Sequence, residues 1–254
     1  MSIVFKVDLN SDLGEGAGAD KNIIPLITSA NIACGFHAGD SNMMAQTIEL
    51  CKINSVSAGA HPGYPDKENF GRTNMPVTPD EVYNFTMYQL GAIGAIAGSK
   101  GVKINHVKPH GAMYNMAAKD RALADAIANA VYDYDKSLIL LALSGSEMIK
   151  AAKAIGLKYA SEVFADRAYE ADGTLRARSL EGSMIEDEQL AIERVIRMIK
   201  DGKVTAYTGE DIDIEAHSVC VHGDGSKALE FVKALNEAFD GNGIKTASIQ
   251  EVIG

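Results

Sequence analysis

The sequence predicts an α/β protein of the β/α-barrel class, in which short parallel strands alternate with amphipathic helices. Apolar segments of strand length alternate with segments whose apolar residues recur at helical spacing, a pattern typical of a parallel sheet. The length of 254 residues suits one such barrel, which commonly takes about 250 residues. We therefore expect residues 1–254 to form a single domain.

Seven apolar segments are the predicted strands. Each is short and is bounded by Gly, Ser, Pro or charged residues, as buried parallel strands are. They are residues 3–9, 29–34, 56–60, 104–108, 138–143, 158–164 and 218–222. Helical periodicity is clear over residues 121–131 and 184–200, where apolar side chains fall on one face. Seven or eight such strand–helix units favour a closed barrel over an open sheet.

A further helix is predicted to begin at Thr78. Thr78 can cap it, Pro79 suits the first helical position, and Glu81 can complete a capping box. We expect this helix to run to about Ala97, because the glycines at 98 and 101 provide a stop.

Two segments interrupt the alternation. Residues 203–216 contain two short apolar runs around Thr-Gly-Glu-Asp, which predicts a small hairpin. Residues 62–77 carry three prolines and two glycines between a strand and a helix. Because long ordered loops are commonly functional, we expect this loop to lie over a site.

Composition argues against some classes of function. The net charge is −10 and no cluster of Lys and Arg is present, so no nucleic-acid partner is expected. The sequence has neither a basic amphipathic run nor 18 consecutive apolar residues, which argues against a membrane partner. The three cysteines form no CxxC pair and the N-terminus has no signal-peptide pattern. These features predict a cytoplasmic protein.

Histidines concentrate where the predicted strands end. Five of the six lie there: His37, His61, His106, His110 and His222. A single loop histidine is more often a structural hydrogen-bonding group than a catalyst. Recurrence at equivalent strand ends favours a shared site, because the loops that follow the strands of a β/α barrel converge on one face.

Polar residues also follow the first strand. Asp8, Asn10, Asp12 and Glu15 lie in VDLNSDLGEG, and we expect them on an exit loop if the strand ends near Leu9. An ordinary acidic surface loop has the same composition. Their position at the presumed catalytic face favours a role in the site.

The segment HVKPH allows two arrangements. On a helix, His106 and His110 would share a face, but Pro109 and the preceding strand argue against a helix. In an extended chain they would lie about 13 Å apart, and could share a metal only if the chain turns at Pro109. We therefore expect His106 in or near the barrel and His110 in the loop. Lys108 is either solvated or, as we favour, part of the site.

The sixth and last strands end on further candidates. In EVFADRAY, which also contains Glu162, the pair Asp166–Arg167 forms either a structural ion pair or an arginine site for a substrate carboxylate. Cys220 precedes His222 by two residues, so the two share a strand face. Cys220 is either a nucleophile or a packed thiol.

Several familiar motifs are missing from the sequence. It contains no GxxxxGK[ST] phosphate loop, no GxGxxG after a strand, no HExxH and no GxSxG. The chain therefore carries no recognisable device of its own for ATP or a dinucleotide, and no motif marks a nucleophilic serine.

Six blocks in order resemble one known family. They are NSDLGEG, SANIACGFHAGD, GAHPGYPD, HVKPHGAMYN, EVFADRAY and CVHGD. From Val7 to Gly225 they resemble the lactam-utilisation family, whose members form the A subunit of bacterial 5-oxoprolinase. The family usually has GFGRR and ALYN where this chain has NFGRT and AMYN. Thr73 therefore replaces a second arginine, which removes one anion contact, whereas Arg72 remains.

The resemblance implies a distorted seven-stranded β/α barrel similar to the glycoside hydrolase and polysaccharide deacetylase superfamily. It also implies ATP-dependent opening of 5-oxo-L-proline to L-glutamate together with partner subunits B and C. The missing phosphate loop agrees with partners taking part in the ATP-dependent step. A five-membered lactam is an unstrained amide and needs activation, which phosphorylation of its oxygen would supply.

The resemblance also implies roles for individual residues. By strand position, comparison with deacetylases of that superfamily assigns a divalent-metal or proton-transfer centre to Asp12, His61 and His110. The predicted catalytic residues are His37, Asp40, Lys108, Asp166 and His222, and the predicted substrate-binding residues are Asn10, Arg72, Tyr114 and Arg167. Among these, His37 and Asp40 are the acid–base candidates, and Arg72, Lys108 or Arg167 is expected to hold the substrate carboxylate.

Two other functions are compatible with the sequence. The chain is alternatively a stand-alone metal-dependent amidohydrolase or deacetylase, or a non-catalytic subunit that positions 5-oxoproline for its partners. An assay of the chain alone, and then with partners and ATP, separates these possibilities.

Overall fold

Seven parallel strands form a closed barrel in the computed structural model, which describes residues 5–221 and 228–254. The strands are β1 (Phe5–Leu13), β2 (Ser29–Ala33), β3 (Ser57–His61), β4 (His106–Val107), β5 (Ile139–Leu143), β6 (Lys158–Phe164) and β9 (Ser218–Cys220). The barrel closes because β9 pairs with both β6 and β1. The predicted β/α-barrel class is therefore confirmed.

Helices cover the outside of the barrel. They are α1 (Asp20–Ile23), α2 (Ser41–Asn54), α3 (Pro79–Ser99), α4 (Gly111–Ala117), α5 (Arg121–Tyr134), α6 (Glu147–Ile155), α7 (Glu188–Asp201), α8 (Ala228–Gly241) and α9 (Ile249–Ile253), with a 3-10 turn at Ile24–Leu26. The apolar core lies between these helices and the strands. Among the described residues, no helix combines the length and the apolarity that a membrane crossing requires.

The helix predicted to start at Thr78 is confirmed. The Thr78 hydroxyl accepts a hydrogen bond from the Glu81 backbone N–H, and the Glu81 carboxylate accepts one from the Thr78 backbone N–H. The helix continues to Ser99, two residues past the expected end. The hairpin predicted in 203–216 is also present, as antiparallel strands β7 (Lys203–Thr205) and β8 (Asp211–Asp213).

The first strand is longer than the sequence suggested. It runs to Leu13, so Asp8, Asn10 and Asp12 lie on the strand and the expected exit loop begins later. The expectation was wrong because it ended the strand where the apolar run ends. Inside the barrel, polar side chains bond to one another: the Asn31 amide donates to Asn10 at 2.7 Å. Polar residues therefore continue this strand without a loss of buried hydrogen bonds.

A short strand near the C-terminus was not predicted from the sequence. Strand β10 (Ile244–Thr246) pairs with the start of β1, in register Phe5 to Ile244. Its three residues, Ile-Lys-Thr, are too few to give a periodic signal. It extends the sheet at the amino-terminal end of β1, away from the carboxyl ends of the barrel strands.

The lower part of the barrel interior is polar. The buried Asp8 carboxylate accepts hydrogen bonds from the hydroxyls of Thr28, Ser29 and Ser218. Burial raises the pKa of Asp8 to about 6, despite these hydrogen bonds, which act in the opposite direction. His106 lies at a similar depth, where its Nε2 is 2.8 Å from Asn31 Oδ1. The expectation that His106 points into the barrel is therefore confirmed.

Candidate active site

A cavity of about 780 Å³ lies at the carboxyl ends of the barrel strands. Its floor includes Asp12, Glu15, His61, Lys108, His110 and Tyr114, and its wall includes Arg72, Lys119, Phe164, Arg167 and Arg178. These residues come from β1, β3, β6, α4 and the loops that follow the strands. This convergence is the arrangement expected of a β/α-barrel active site.

Three buried histidines and one half-buried glutamate form a group on one side of the cavity, here called the histidine cluster: Glu15, His37, His61 and His110. Glu15 Oε1 lies 3.2 Å from His37 Nε2, 3.7 Å from His61 Nε2 and 3.4 Å from His110 Nδ1. The His37 and His110 rings stack with centroids 3.8 Å apart and planes 3° apart, and the His61 ring stands edge-on to both.

Backbone pairing places these imidazoles. His61 is the last residue of β3, and the chain beyond β4 stays beside it, because the backbone N–H of Lys108 donates to Ala60 O and that of His110 to Pro62 O. His110 is the N-cap residue of α4. The chain therefore remains extended from His106 to His110, and these two histidines lie in different layers of the molecule, as the HVKPH pattern predicted.

Two backbone carbonyls fix the orientation of His61 and His110. His61 Nδ1 lies 2.7 Å from the Lys108 carbonyl oxygen, and His110 Nε2 lies 2.8 Å from that of Phe70. A carbonyl oxygen only accepts, so each of these ring nitrogens donates. The remaining nitrogens, His61 Nε2 and His110 Nδ1, face each other at 2.9 Å.

The three imidazoles differ in basicity. Burial and the neighbouring His61 hold the pKa values of His37 and His110 well below the ordinary value. Burial also acts to lower the pKa of His61, but the Asp12 carboxylate, 3.4 Å away, and Glu15 raise it above that value. His61 is therefore the most basic group, and a proton on its Nε2 would be donated to His110 Nδ1.

A second buried group lies beside the cluster, here called the lysine network: Lys108, Asp12, Glu162, Asn10 and Cys220. Lys108 Nζ lies 2.9 Å from Asp12 Oδ1, 2.8 Å from Glu162 Oε1, 3.3 Å from Asn10 Oδ1 and 3.1 Å from Cys220 Sγ. Burial alone would lower the pKa of Lys108, but the Asp12 and Glu162 carboxylates raise it well above the ordinary value. Lys108 is therefore an ammonium ion held by two carboxylates.

Tyr114 and Cys220 complete the surroundings of this ion. The Tyr114 hydroxyl donates to Glu162 Oε2 at 2.7 Å, and burial raises the pKa of Tyr114 well above its usual range. Burial likewise raises the pKa of the Cys220 thiol, although Lys108 acts in the opposite direction. Cys220 is therefore a protonated, fully buried thiol, which agrees with the packed-thiol alternative rather than the nucleophile.

Asp40 lies outside the cavity. It is exposed and is the N-cap residue of α2, where its Oδ1 accepts from the backbone N–H groups of Asn42 and Met43, both at 2.9 Å. The structure thus places this predicted acid–base residue at a helix terminus and not with His37. The sequence Asp-Ser-Asn at the start of the helix is an N-cap signal, which favours a capping role for Asp40 over a catalytic one.

The predicted anion-binding residues are placed unequally. Arg72 is exposed at the cavity mouth with its guanidinium 4.9 Å from the Phe70 ring centroid. Arg167 is buried, and its guanidinium donates to the carbonyl of Arg176 at 2.6 Å and to that of Ser183 at 3.4 Å. Burial lowers the pKa of Arg167 to about 10. Arg167 both lines the cavity and holds the loop beside it.

The remaining predicted residues lie at the edge of the site or outside the described ranges. Asn10 lies below the cavity floor, where it bonds to Ser218 and Asn31. Asp166 is half-buried at the end of β6 and is not among the described residues that line the cavity. His222, predicted to be catalytic, and Asp224 fall outside residues 5–221 and 228–254.

Glu15 is the cluster member whose importance was missed. The sequence marked it, with Asp8, Asn10 and Asp12, as one of four polar residues expected near the end of the first strand, but gave it no role. Gly14 and Gly16, with φ of +71° and +92°, turn the chain so that the Glu15 carboxylate lies within the cluster. The pattern Gly-Glu-Gly after a strand was the available signal, because such turns bring backbone close to a site.

Comparison with known proteins agrees with this architecture. The family model described as LamB/YcsF family matches residues 7–254. The chain belongs to the LamB/YcsF family. Within this family, it is 54% identical over 254 residues to a protein of Clostridium beijerinckii that is named as the A subunit of 5-oxoprolinase. That match covers 98% of this chain and 100% of the Clostridium protein.

One solved structure supports the same assignment, and a second shares the fold. The crystal structure of a lactam utilization protein from Thermus thermophilus matches this LamB/YcsF chain with a TM-score of 0.89 and 42% identity, over 96% of this chain and 99% of that one. A family 4 carbohydrate esterase from Streptomyces lividans matches with a TM-score of 0.50 and 11% identity, over 97% of this chain and 94% of that one. The second likeness concerns the fold alone.

Proposed function

We propose that this chain is the A subunit of a cytoplasmic, ATP-dependent 5-oxoprolinase, which opens 5-oxo-L-proline to L-glutamate together with partner subunits B and C. The observation that carries this proposal is the full-length identity of 54% to a protein that bears the name of that subunit. Because the name designates one lettered subunit of an enzyme, it supports the existence of further subunits.

The charges around the cavity suit a small anionic lactam. Among the described lining residues, five cations (Arg72, Lys108, Lys119, Arg167 and Arg178) accompany two carboxylates (Asp12 and Glu15). A substrate carboxylate near the arginines would place the lactam ring toward the histidine cluster. The volume of about 780 Å³ also leaves room for a phosphoryl group on the substrate, since it exceeds what a five-membered ring needs.

Hydrolysis of an unstrained amide needs a nucleophilic water and a proton for the leaving nitrogen. The overall reaction consumes one water for ring opening and one for ATP cleavage, and it yields glutamate, ADP and phosphate. The Glu15 carboxylate, which lies beside His61 and His110, supplies a proton-accepting group at the cavity floor. A water held there would lose its proton to this carboxylate as it attacks the lactam carbon. That proton would then be returned to the nitrogen.

Lys108 would act by charge and position. As a buried ammonium at the cavity floor, it stabilises negative charge that develops on a substrate oxygen. Phosphorylation of the lactam oxygen would make the ring carbon more electrophilic before water attacks. The absence of a phosphate-loop motif from the sequence supports a division of labour in which partner subunits carry the ATP-dependent step.

An assay of glutamate formation tests this proposal. The chain is assayed alone and then mixed with candidate subunits B and C, each time with 5-oxo-L-proline and with or without ATP. We expect glutamate only in the complete mixture with ATP. Hydrolysis of simple amides or acetylated sugars by the chain alone would instead support the stand-alone hydrolase. A complete mixture that keeps its activity with His61→Ala would support a non-catalytic role for the chain.

A further inference from the structure

In the histidine cluster, one ring nitrogen of His61 and one of His110 face each other without a hydrogen atom assigned to either by their other contacts. His61 Nδ1 and His110 Nε2 each donate to a backbone carbonyl, so in the neutral rings the facing nitrogens both carry lone pairs. These atoms, His61 Nε2 and His110 Nδ1, are 2.9 Å apart. Two lone pairs repel at this distance, so either a proton or a metal cation must lie between them.

The third corner of this arrangement is a carboxylate oxygen. Glu15 Oε1 lies 3.4 Å from His110 Nδ1 and 3.7 Å from His61 Nε2. A point equidistant from three atoms that are 2.9, 3.4 and 3.7 Å apart lies about 1.95 Å from each within their plane, and about 2.1 Å from each when it is about 0.8 Å out of the plane. Zinc binds imidazole nitrogen and carboxylate oxygen at about 2.0–2.2 Å.

We infer that Glu15, His61 and His110 form a three-ligand site for a divalent cation of the zinc class. Two histidines and one glutamate are a ligand set of catalytic zinc sites, in which the fourth position is left for water or substrate. The metal set predicted from the sequence shared the two histidines but took its carboxylate from Asp12. When bound, such a cation supplies Lewis-acid chemistry that lowers the pKa of a bound water.

Asp12 is placed differently from Glu15. Its Oδ1 accepts from Lys108 Nζ at 2.9 Å and from the Asn31 amide at 2.8 Å, so this carboxylate belongs to the lysine network. Its other oxygen lies 3.4 Å from His61 Nε2. Glu15, and not Asp12, groups with the histidines within 4.8 Å. We therefore assign Asp12 to charge balance beside the cation.

His37 is assigned to the outer shell of the same site. Its ring is parallel to that of His110, with planes 3° apart, and a lone pair lies in the plane of its ring. Two stacked rings therefore cannot both direct lone pairs at one point. His37 Nε2 lies 3.2 Å from Glu15 Oε1, where it can donate to that ligand. The Lys108 and Phe70 carbonyls orient His61 and His110 in the same manner, as outer-shell partners commonly do.

Metal binding by the full chain tests this inference without an activity assay. Chelator-treated protein is titrated with Zn²⁺ by calorimetry, and with Co²⁺ while its visible absorption is recorded. We expect one equivalent of Zn²⁺ and Co²⁺ bands in the visible. Glu15→Gln and His61→Ala should each weaken binding by more than about 100-fold, because even outer-shell changes cost about 10–100-fold. Asp12→Asn and His37→Ala should keep one equivalent, with a smaller loss.

Two matched substitutions distinguish Glu15 from Asp12 as the carboxylate ligand. Glu15→Gln and Asp12→Asn are matched changes, each replacing a carboxylate by its amide, and circular dichroism establishes that each variant is folded. Absence of stoichiometric Zn²⁺ binding to the folded wild-type chain would overturn the inference in favour of a shared proton. Loss of binding with Asp12→Asn but not with Glu15→Gln would also overturn it. Because the readout is binding, neither outcome depends on the lactam reaction.

Discussion

The histidine cluster and the lysine network are neighbouring polar groups that differ in how their charges and lone pairs are matched. Lys108 has two carboxylates within 3 Å, and Tyr114 bonds to one of them, so that its charge is balanced. In the cluster, His61 Nε2 and His110 Nδ1 face each other at 2.9 Å, near the carboxylates of Glu15 and Asp12, and a proton or cation must lie between them. The lysine network, whose charges are paired, is therefore suited to positioning, and the histidine cluster, which needs a proton or cation, is suited to chemistry.

The largest expected effect is that of Lys108→Met on stability. The substitution removes the buried ammonium and leaves Asp12 and Glu162 without their common partner. Breaking a buried ion pair costs about 3–5 kcal/mol, and urea unfolding should show a loss of this size. Lys119→Met is the matched control, because Lys119 is exposed at the same cavity. A loss below about 1 kcal/mol for Lys108→Met would contradict the structural role of the network.

The next effect concerns Asp8, which lies beneath both groups. Its pKa is raised from 3.8 to about 6 on folding, so between these pH values the folded chain holds more protons than the unfolded chain. The contribution of Asp8 to stability should therefore be largest below about pH 4 and fall by about 3 kcal/mol as the pH rises to 6. Unfolding free energies of wild type and Asp8→Asn, measured across this range, should differ by an amount that changes with pH. A constant difference would show that Asp8 does not titrate as described.

The substitution Gly63→Ala, with a smaller expected effect, tests whether the histidine cluster matters more for activity than for stability. A Cβ on Gly63 would lie 2.6 Å from His37 Nδ1, and Gln89 holds the Gly63 backbone through two hydrogen bonds. In Gly63→Ala the imidazole must therefore move. Displacement of a catalytic group by about 1 Å costs up to about 100-fold in rate, so we expect a 10- to 100-fold loss of glutamate formation by the complex.

The control for this substitution is Gly91→Ala. Gly91 is exposed within α3, and a Cβ there meets no atom within 4 Å. We expect unchanged activity and a gain in stability of up to about 1 kcal/mol from helix propensity. Equal activity of the Gly63→Ala and Gly91→Ala complexes would show that the position of His37 does not affect the reaction.

The smallest effect is expected for Asp40→Asn. Asparagine caps a helix about as well as aspartate, so the N-cap of α2 should be kept and the free energy of unfolding should change by less than about 0.5 kcal/mol. Steady-state rates of the reconstituted complex should match wild type. A large loss of activity in this variant would return Asp40 to the catalytic set predicted from the sequence.

The sequence was sufficient for the barrel and for the convergence of His37, His61 and His110. Periodicity locates strands, and the topology then brings their ends to one face. The sequence did not indicate which of Asp12, Glu15 and Asp40 lies with the histidines. That choice depends on two positive-φ glycines that turn Glu15 inward, and on a helix start that engages Asp40. Periodicity contains no information about either.

The hydrogen-bond partners of the buried polar residues could not be predicted from the sequence either. Asn31 and Glu162 are fully buried. Asn31 bonds to Asn10 and His106, and Glu162 bonds to Lys108 and Tyr114. These partners are distant along the chain and meet only inside the closed barrel. Polar residues within β1 therefore looked like a loop, although they form the bonded interior of the barrel.

The central claim is that the histidine cluster is the reacting centre and that Glu15 belongs to it. The most direct test is ATP-dependent glutamate formation by the complex rebuilt with Glu15→Gln, measured together with the unfolding free energy of that variant. We predict that activity falls by more than about 100-fold while stability changes by less than about 1 kcal/mol. Activity within twofold of wild type would contradict the claim.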